Sequence, residues 1–126
     1  MNEFYTGYIL DHYRNPRNFG HLDAPSIVAE DINPLCGDTI CVELLLDGET
    51  VQDIKFSGKG CAISQAATSM LFESITGKTL TAVAALTQDN VLEYVGIGLN
   101  PTRMKCAILG LTVLKSAAIA RLAKTN

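Results

Sequence analysis

The alternation in Thr39–Leu46 is the strongest constraint on what this chain can fold into. Ile40, Val42, Leu44 and Leu46 fall on one face, and Cys41, Glu43 and Leu45 on the other. That is the two-residue period of a half-buried strand. Asp47-Gly48 follows as a hairpin signal, and Val51–Ser57 returns with Ile54 and Phe56 facing one way. Upstream, Ser26–Ile32 alternates more weakly. Connections this short imply antiparallel neighbours. Strand two leaves the end where it joins strand one, and strand three comes back to it. The turn before Thr39 and the exit after Ser57 therefore share one end of the sheet.

Chemistry-bearing residues sit at that end. Pro34-Leu35-Cys36-Gly37-Asp38 occupies the first turn, and Cys61 follows Ser57-Gly58-Lys59-Gly60 just past the third strand. Thiolate sulfur and carboxylate oxygen are both metal ligands once deprotonated. Gly37 lets the backbone turn tightly enough to aim both of its neighbours at one point. A Cys-Gly-Asp alone is a weak signal, since most such tripeptides are ordinary turns. Topology adds weight by bringing Cys36, Asp38 and Cys61 together. Cys106, also at a break in the apolar pattern, completes the expected set: Cys36, Asp38, Cys61 and Cys106 meeting in space.

The rest of the chain reads as helix. Residues 3–13 place Tyr5, Tyr8, Ile9 and His12 at helical spacing, and Asn15-Pro16 ends that helix. His12 reads as a partly packed helix residue rather than a ligand. Ile63, Ala66, Ala67, Met70, Leu71 and Ser74 keep the helical pattern, with Gly77 as the C′ residue. Thr81–Leu86 forms a short helix, and Thr87 caps another that carries Val91, Leu92 and Val95 to Gly96. After the loop Gly96–Asn100, Asn100-Pro101 opens a final helix with Cys106, Leu109, Val113, Leu114 and Ala117 on one stripe. The expected fold is α+β, one domain over residues 1–126.

Composition excludes several functions. A net charge of −3 and a pI near 5.2 argue against a general nucleic-acid binder. No apolar run approaches the roughly 20 residues of a membrane span, and Met1-Asn2-Glu3-Phe4-Tyr5 lacks the features of a signal peptide. The expected home is the cytoplasm, where thiols stay reduced, so the four cysteines read as metal or sulfur chemistry before disulfides. With His12 and His21 both near the N-terminus, a two-Cys, two-His zinc finger has no support in the spacing.

Cys61 is expected to open a helix and Cys106 to sit in or near the first turn of another. A helix N-terminus favours thiolate over thiol. Lys59, Arg103 and Lys105, neighbours of these cysteines in sequence, act in the same sense; plain solvated charges are the alternative reading for Lys59 and Arg103. Taken singly, Cys61 or Cys106 could be a small buried hydrophobe. Three cysteines at turns or helix starts, with an Asp two residues from one of them, make that explanation poor for the set. Cys41, inside a strand, reads as packed. Charge does not choose the metal, because three thiolates and a carboxylate outweigh a divalent zinc and a [2Fe–2S] core alike.

With these residues in place, the chain resembles the NifU/IscU/SufU-type iron–sulfur cluster assembly proteins over nearly its whole length. The matching stretches are Asp11-His12-Tyr13-Arg14-Asn15-Pro16-Arg17-Asn18, Pro34-Leu35-Cys36-Gly37-Asp38, Gly60-Cys61-Ala62-Ile63-Ser64 and Arg103-Met104-Lys105-Cys106. The resemblance implies an α+β fold with a three-stranded antiparallel sheet and helices packed on one side. It implies Cys36, Asp38, Cys61 and Cys106 as ligands of a metal or [2Fe–2S] cluster, with Lys59, Arg103 and Lys105 in support. It also implies a cysteine desulfurase as sulfur source, an iron donor and recipient apo iron–sulfur proteins as partners, and it admits a homo-oligomer. Cys36 and Cys106 are the candidate persulfide acceptors, and the Arg-x-Lys-Cys pattern points to Cys36.

The chain mixes subgroups of that family. Lys105 stands where IscU-type members usually have His, and Leu99-Asn100-Pro101-Thr102-Arg103 replaces their Leu-Pro-Pro-Val-Lys chaperone-binding motif. Arg-x-Lys-Cys and Gly-Lys-Gly-Cys look like SufU, yet the stretch between Cys61 and Cys106 leaves little room for the SufU insertion. Two functions are therefore expected: a scaffold that builds and passes on a [2Fe–2S] cluster, or a zinc-dependent sulfurtransferase, with the scaffold ahead. A structural zinc module is disfavoured by Asp38, since closed zinc sites prefer Cys and His.

Overall fold

A computed structural model describes residues 7–32, 37–95 and 101–124. The elements are α1 (Gly7–Arg14), β1 (Ile27–Ile32), β2 (Thr39–Asp47), β3 (Thr50–Lys59), α2 (Ala62–Glu73), α3 (Leu80–Ala84), α4 (Gln88–Val95) and α5 (Pro101–Lys124). The strands form an antiparallel sheet in the order β1-β2-β3. α5 lies against β1 and β2, and α2 against β3 and α5. The α+β meander with helices on one side is the expected architecture.

Ile40, Val42 and Leu44 of β2 and Ile54 and Phe56 of β3 are all buried beneath these helices. Val51 joins them although it is an odd number of residues from Ile54. A bulge explains this: Leu45 pairs with Asp53 and Leu46 with Val51, so Gln52 is the extra residue that re-aims the strand. The hairpin turns one residue later than the Asp-Gly reading. Asp47 pairs with Thr50, and Gly48 holds the first central position with φ of 63°. A positive φ there alone is the type II′ pattern, whose twist suits the flanking strands.

α2 is buried on every side from Ile63 to Phe72, as befits a helix enclosed by its neighbours. It packs on α1, α4 and α5 as well as β3. It ends earlier than Gly77: Ser74 is the C-cap, its backbone N–H bonded to Leu71 O and Phe72 O. Gly77 instead takes a φ of 94° in the following turn and donates its N–H to Val51 O at 2.8 Å. Before α4, Asn90 Oδ1 accepts from the Thr87 N–H at 2.8 Å, one arm of a capping box. Gly96, the loop to Asn100, and residues 3–6 of the expected first helix lie outside the described residues.

One expectation needs correcting. Met104–Lys124 of α5 is long and apolar enough, by length and composition, to cross a membrane. Its apolar residues serve the core instead: Cys106, Leu109, Val113, Leu114 and Ala117 are all buried, and half of the stretch is enclosed.

The segment Asp11–Asn18 is a brace. His12 is 1% exposed; Ser69 Oγ, 2.7 Å from its Nδ1, accepts the Arg17 backbone N–H at 2.8 Å. The Glu73 carboxylate, with Oε1 3.4 Å from Nε2, can only accept, so in the neutral imidazole Nε2 carries the proton and Nδ1 accepts from the Ser69 hydroxyl. Burial first, and the Arg17 charge second, hold the His12 pKa below its ordinary value. Asn18, with a φ of 61°, completes the brace: its carbonyl accepts from Phe56 N and its amide donates to Ile54 O. His12 is thus a packed residue, more deeply buried than expected.

Candidate metal centre

Three independent features of the backbone build this end of the sheet. Gly37 has a φ of 74°, in the region that glycine enters without strain, and so aims the chain into Asp38 and β2. Gly58, with a φ of 139°, lets β3 pass so close to β2 that an added Cβ would collide with the Thr39 carbonyl. The Lys59 N–H then bonds to Thr39 Oγ1 at 3.1 Å, and Gly60-Cys61 is delivered beside Asp38. The third feature is Gly110 in α5. A Cβ there would lie 2.5 Å from Thr68 Oγ1 of α2. Glycine allows this close crossing, which brings Cys106, one turn earlier on α5, alongside the start of α2.

Asp38, Cys61 and Cys106 converge as a result. Their ligand atoms all lie within 4.8 Å of one another, a grouping of three metal-binding side chains that stands alone among the described residues. Asp38 is 5% exposed and Cys106 3%; Cys61 is half-buried. Asp38 Oδ1 accepts the Cys61 N–H at 3.3 Å, and the Cys61 thiol donates to Oδ2 at 3.7 Å. Ligands around a tetrahedral zinc at about 2.0–2.3 Å stand roughly 3.3–3.8 Å apart. The observed separations thus need only small rotamer changes to close on one ion. The donor set, soft sulfur with one carboxylate, fits zinc or iron.

Cys61 is the N-cap of α2, where its sulfur accepts the Ser64 N–H at 3.5 Å. The expected helix-start position is therefore met. Cys106 is not in a first turn: it is the sixth residue of α5, beyond the reach of the N-terminal partial charge. Lys59 and Lys105 are exposed, and among the described residues neither forms an ion pair with Asp38. Cys36 and the Arg103 side chain lie outside the described residues. No disulfide joins Cys41, Cys61 and Cys106.

Cys41 points to the other face of the sheet, paired across from Ser57 and Glu30. Burial pushes its thiol pKa up, and the Glu43 and Glu30 carboxylates push it further. Glu43, beside it on that face, accepts from His21 at 2.6 Å and from the Leu22 N–H at 3.0 Å, and these bonds lower its pKa. Two residues of the centre escaped the sequence reading. Ser64 is fully buried, its hydroxyl without a partner among the described residues, and Gly110 sets the helix crossing. An isolated glycine in an apolar helical pattern lowers helix propensity, which marks Gly110 as unusual but does not name Thr68 as its neighbour.

Known proteins resemble this chain along most of its length. The zinc-dependent sulfurtransferase SufU of Bacillus subtilis is 35% identical over 132 residues, covering 91% of this chain and 89% of that protein. The iron–sulfur cluster assembly scaffold protein IscU 1 of Archaeoglobus fulgidus is 35% identical over 115 residues, covering 91% and 74%. The longer alignment for the same share of this chain means that the Bacillus protein has residues which this chain lacks. Among solved structures, FiSufU of Fervidobacterium islandicum AW-1 superposes with a TM-score of 0.76 at 28% identity, covering 91% of this chain and 96% of that one. A NifU-like protein from Brucella abortus shares the fold with a TM-score of 0.78 over 98% of this chain. The family model for the NifU-like N terminal domain matches residues 4–126, and the chain belongs to that family.

Proposed function

We propose that this chain is an iron–sulfur cluster assembly scaffold. The observation that carries the reading is the convergence of Asp38, Cys61 and Cys106 within 4.8 Å at one end of the sheet. Cys36, one residue before the left-handed Gly37, supplies the fourth ligand. Sulfur arrives as a persulfide on a cysteine desulfurase. A thiolate of this chain, Cys36 before Cys106, attacks the outer sulfur; the S–S bond breaks and the desulfurase thiolate leaves. With iron from a donor, and with two electrons per persulfide sulfur supplied by ferrous iron and an electron donor to give sulfide, the product is a [2Fe–2S] cluster for recipient apo-proteins. A carboxylate is a harder ligand than a thiolate and holds such a cluster less firmly. Asp38 gives an incoming acceptor thiolate its place of entry.

The second reading is a zinc-dependent sulfurtransferase, favoured by Lys105 before Cys106 and by the likeness to the Bacillus protein. In that case zinc holds the thiolates until one leaves to attack the persulfide. Anaerobic reconstitution with desulfurase, cysteine and ferrous iron, followed by circular dichroism during transfer to an apo-ferredoxin, separates the two. Cluster formation and transfer support the scaffold. Stoichiometric zinc with no acid-labile sulfide overturns it in favour of the sulfurtransferase.

A further inference from the structure

Ser64 Oγ stands out as a buried side-chain polar atom with no hydrogen-bond partner among the described residues, and the residue is 0% exposed. Buried hydroxyls are nearly always bonded, so such an exception asks for an explanation. This one lies in the metal centre. Ser64 is in the first turn of α2, its own N–H already given to Cys61 Sγ. A Cβ built on Gly60 would meet Ser64 Oγ at 3.1 Å and the Asp38 carboxyl carbon at 3.2 Å. Gly60 therefore leaves open a gap with the serine hydroxyl on one side and the carboxylate on the other.

We propose that Ser64 is a positioning residue that hydrogen-bonds the Asp38 carboxylate when the centre holds a metal. Asp38 Oδ1 accepts the Cys61 N–H at 3.3 Å, and Oδ2 faces the Cys61 sulfur at 3.7 Å. The Ser64 hydroxyl, across the Gly60 gap, is a further donor within reach of a small rotamer change. Its bond would fix the orientation in which the carboxylate meets a metal. The inference rests on the metal-centre reading of Asp38, Cys61 and Cys106.

The test is anaerobic zinc binding by competition with a chelator, with cobalt(II) spectra, on the whole chain. Wild type, Ser64→Ala, Asp38→Ala and the double variant are compared, with metal-free melting curves for each. Removal of a ligand's hydrogen-bond partner typically costs 10–100-fold in affinity, so Ser64→Ala is expected to bind zinc at least about 10-fold more weakly. Its cobalt(II) absorption is expected to shift. The metal-free variant is expected to melt no lower than wild type, because an unpartnered buried hydroxyl has been removed. A merely structural serine would lower that melting point instead. In the Asp38→Ala background, loss of the hydroxyl is expected to change nothing further. Gly60→Ala, which puts a methyl into the gap, is expected to weaken zinc binding in the same way. Wild-type affinity in Ser64→Ala, or an undiminished loss in the Asp38→Ala background, overturns the proposal while the metal centre stands. Failure of wild type to bind zinc or cobalt at these residues overturns both.

Discussion

Gly110→Ala tests whether the α2–α5 crossing builds the centre. The added Cβ would lie 2.5 Å from Thr68 Oγ1, 3.0 Å from its Cγ2 and 3.2 Å from its Cβ. Thr68 is 1% exposed, and its hydroxyl is held by the Ser64 carbonyl at 2.8 Å. No rotation of the threonine clears all three atoms, so the helices must move apart. Overpacking of this kind costs about 1–3 kcal/mol, and contact with three atoms at once puts this case near the upper end. Replacing a helical glycine by alanine returns about 0.8–1.0 kcal/mol. The net expectation is a loss of about 1–2 kcal/mol, or roughly 4–8 °C in melting temperature for a domain of this size. Urea unfolding of wild type, Gly110→Ala, Thr68→Ala and the double variant measures it. The double variant is expected to recover much of the loss, with a coupling energy of about 1–2 kcal/mol. Zinc affinity is expected to fall in Gly110→Ala and return in the double variant, because Cys106 rides on α5. A Gly110→Ala protein more stable than wild type, or strictly additive effects, would refute the close crossing.

Three further outcomes follow from other residues. His12 has a folded pKa below its unfolded value. The unfolded state therefore takes up the proton first, and stability, complete above about pH 6.5, falls as pH drops below it; His12→Asn is expected to flatten that acid limb in melting curves from pH 7 to 5. Cys41 has a raised pKa, so in the metal-free protein its alkylation by iodoacetamide at pH 7.5, followed by peptide mass spectrometry, is expected to be slower than that of a free cysteine; a faster rate would contradict the burial assigned to it. Asp38→Ala is expected to retain a reconstituted cluster and pass it to an apo-ferredoxin more slowly than wild type. Equal or faster transfer, followed by circular dichroism, refutes the release role.

The meander was legible because its causes are local. Alternation in Thr39–Leu46 and the short turn at Gly48 dictate antiparallel pairing, and that pairing alone brings Asp38 to Cys61. Bulge and turn placement were not legible: whether the hairpin turns at Asp47-Gly48 or Gly48-Glu49 depends on which side chains the finished core accepts, and Val51 wins its place through Gln52. The joining of Cys106 to the centre is tertiary. It depends on a glycine in α5 meeting a threonine in α2, and no periodicity reports it. Ser64 reads in sequence as one small residue in a helix full of them. Its significance appears only when its hydroxyl is seen to be buried and, among the described residues, without a partner. The Asp11–Asn18 segment carried part of the family resemblance, yet its visible work is to brace α1 and β3 against α2.

The central claim is that Asp38, Cys61 and Cys106 belong to one metal-holding centre and that Cys41 does not. Elemental analysis after anaerobic reconstitution, on wild type and on Cys36→Ser, Cys41→Ser, Cys61→Ser and Cys106→Ser, tests it directly. The expected result is iron and acid-labile sulfide in equal amounts in wild type and Cys41→Ser, with sharp loss in the other three. Metal lost in Cys41→Ser and retained in Cys106→Ser would contradict the account.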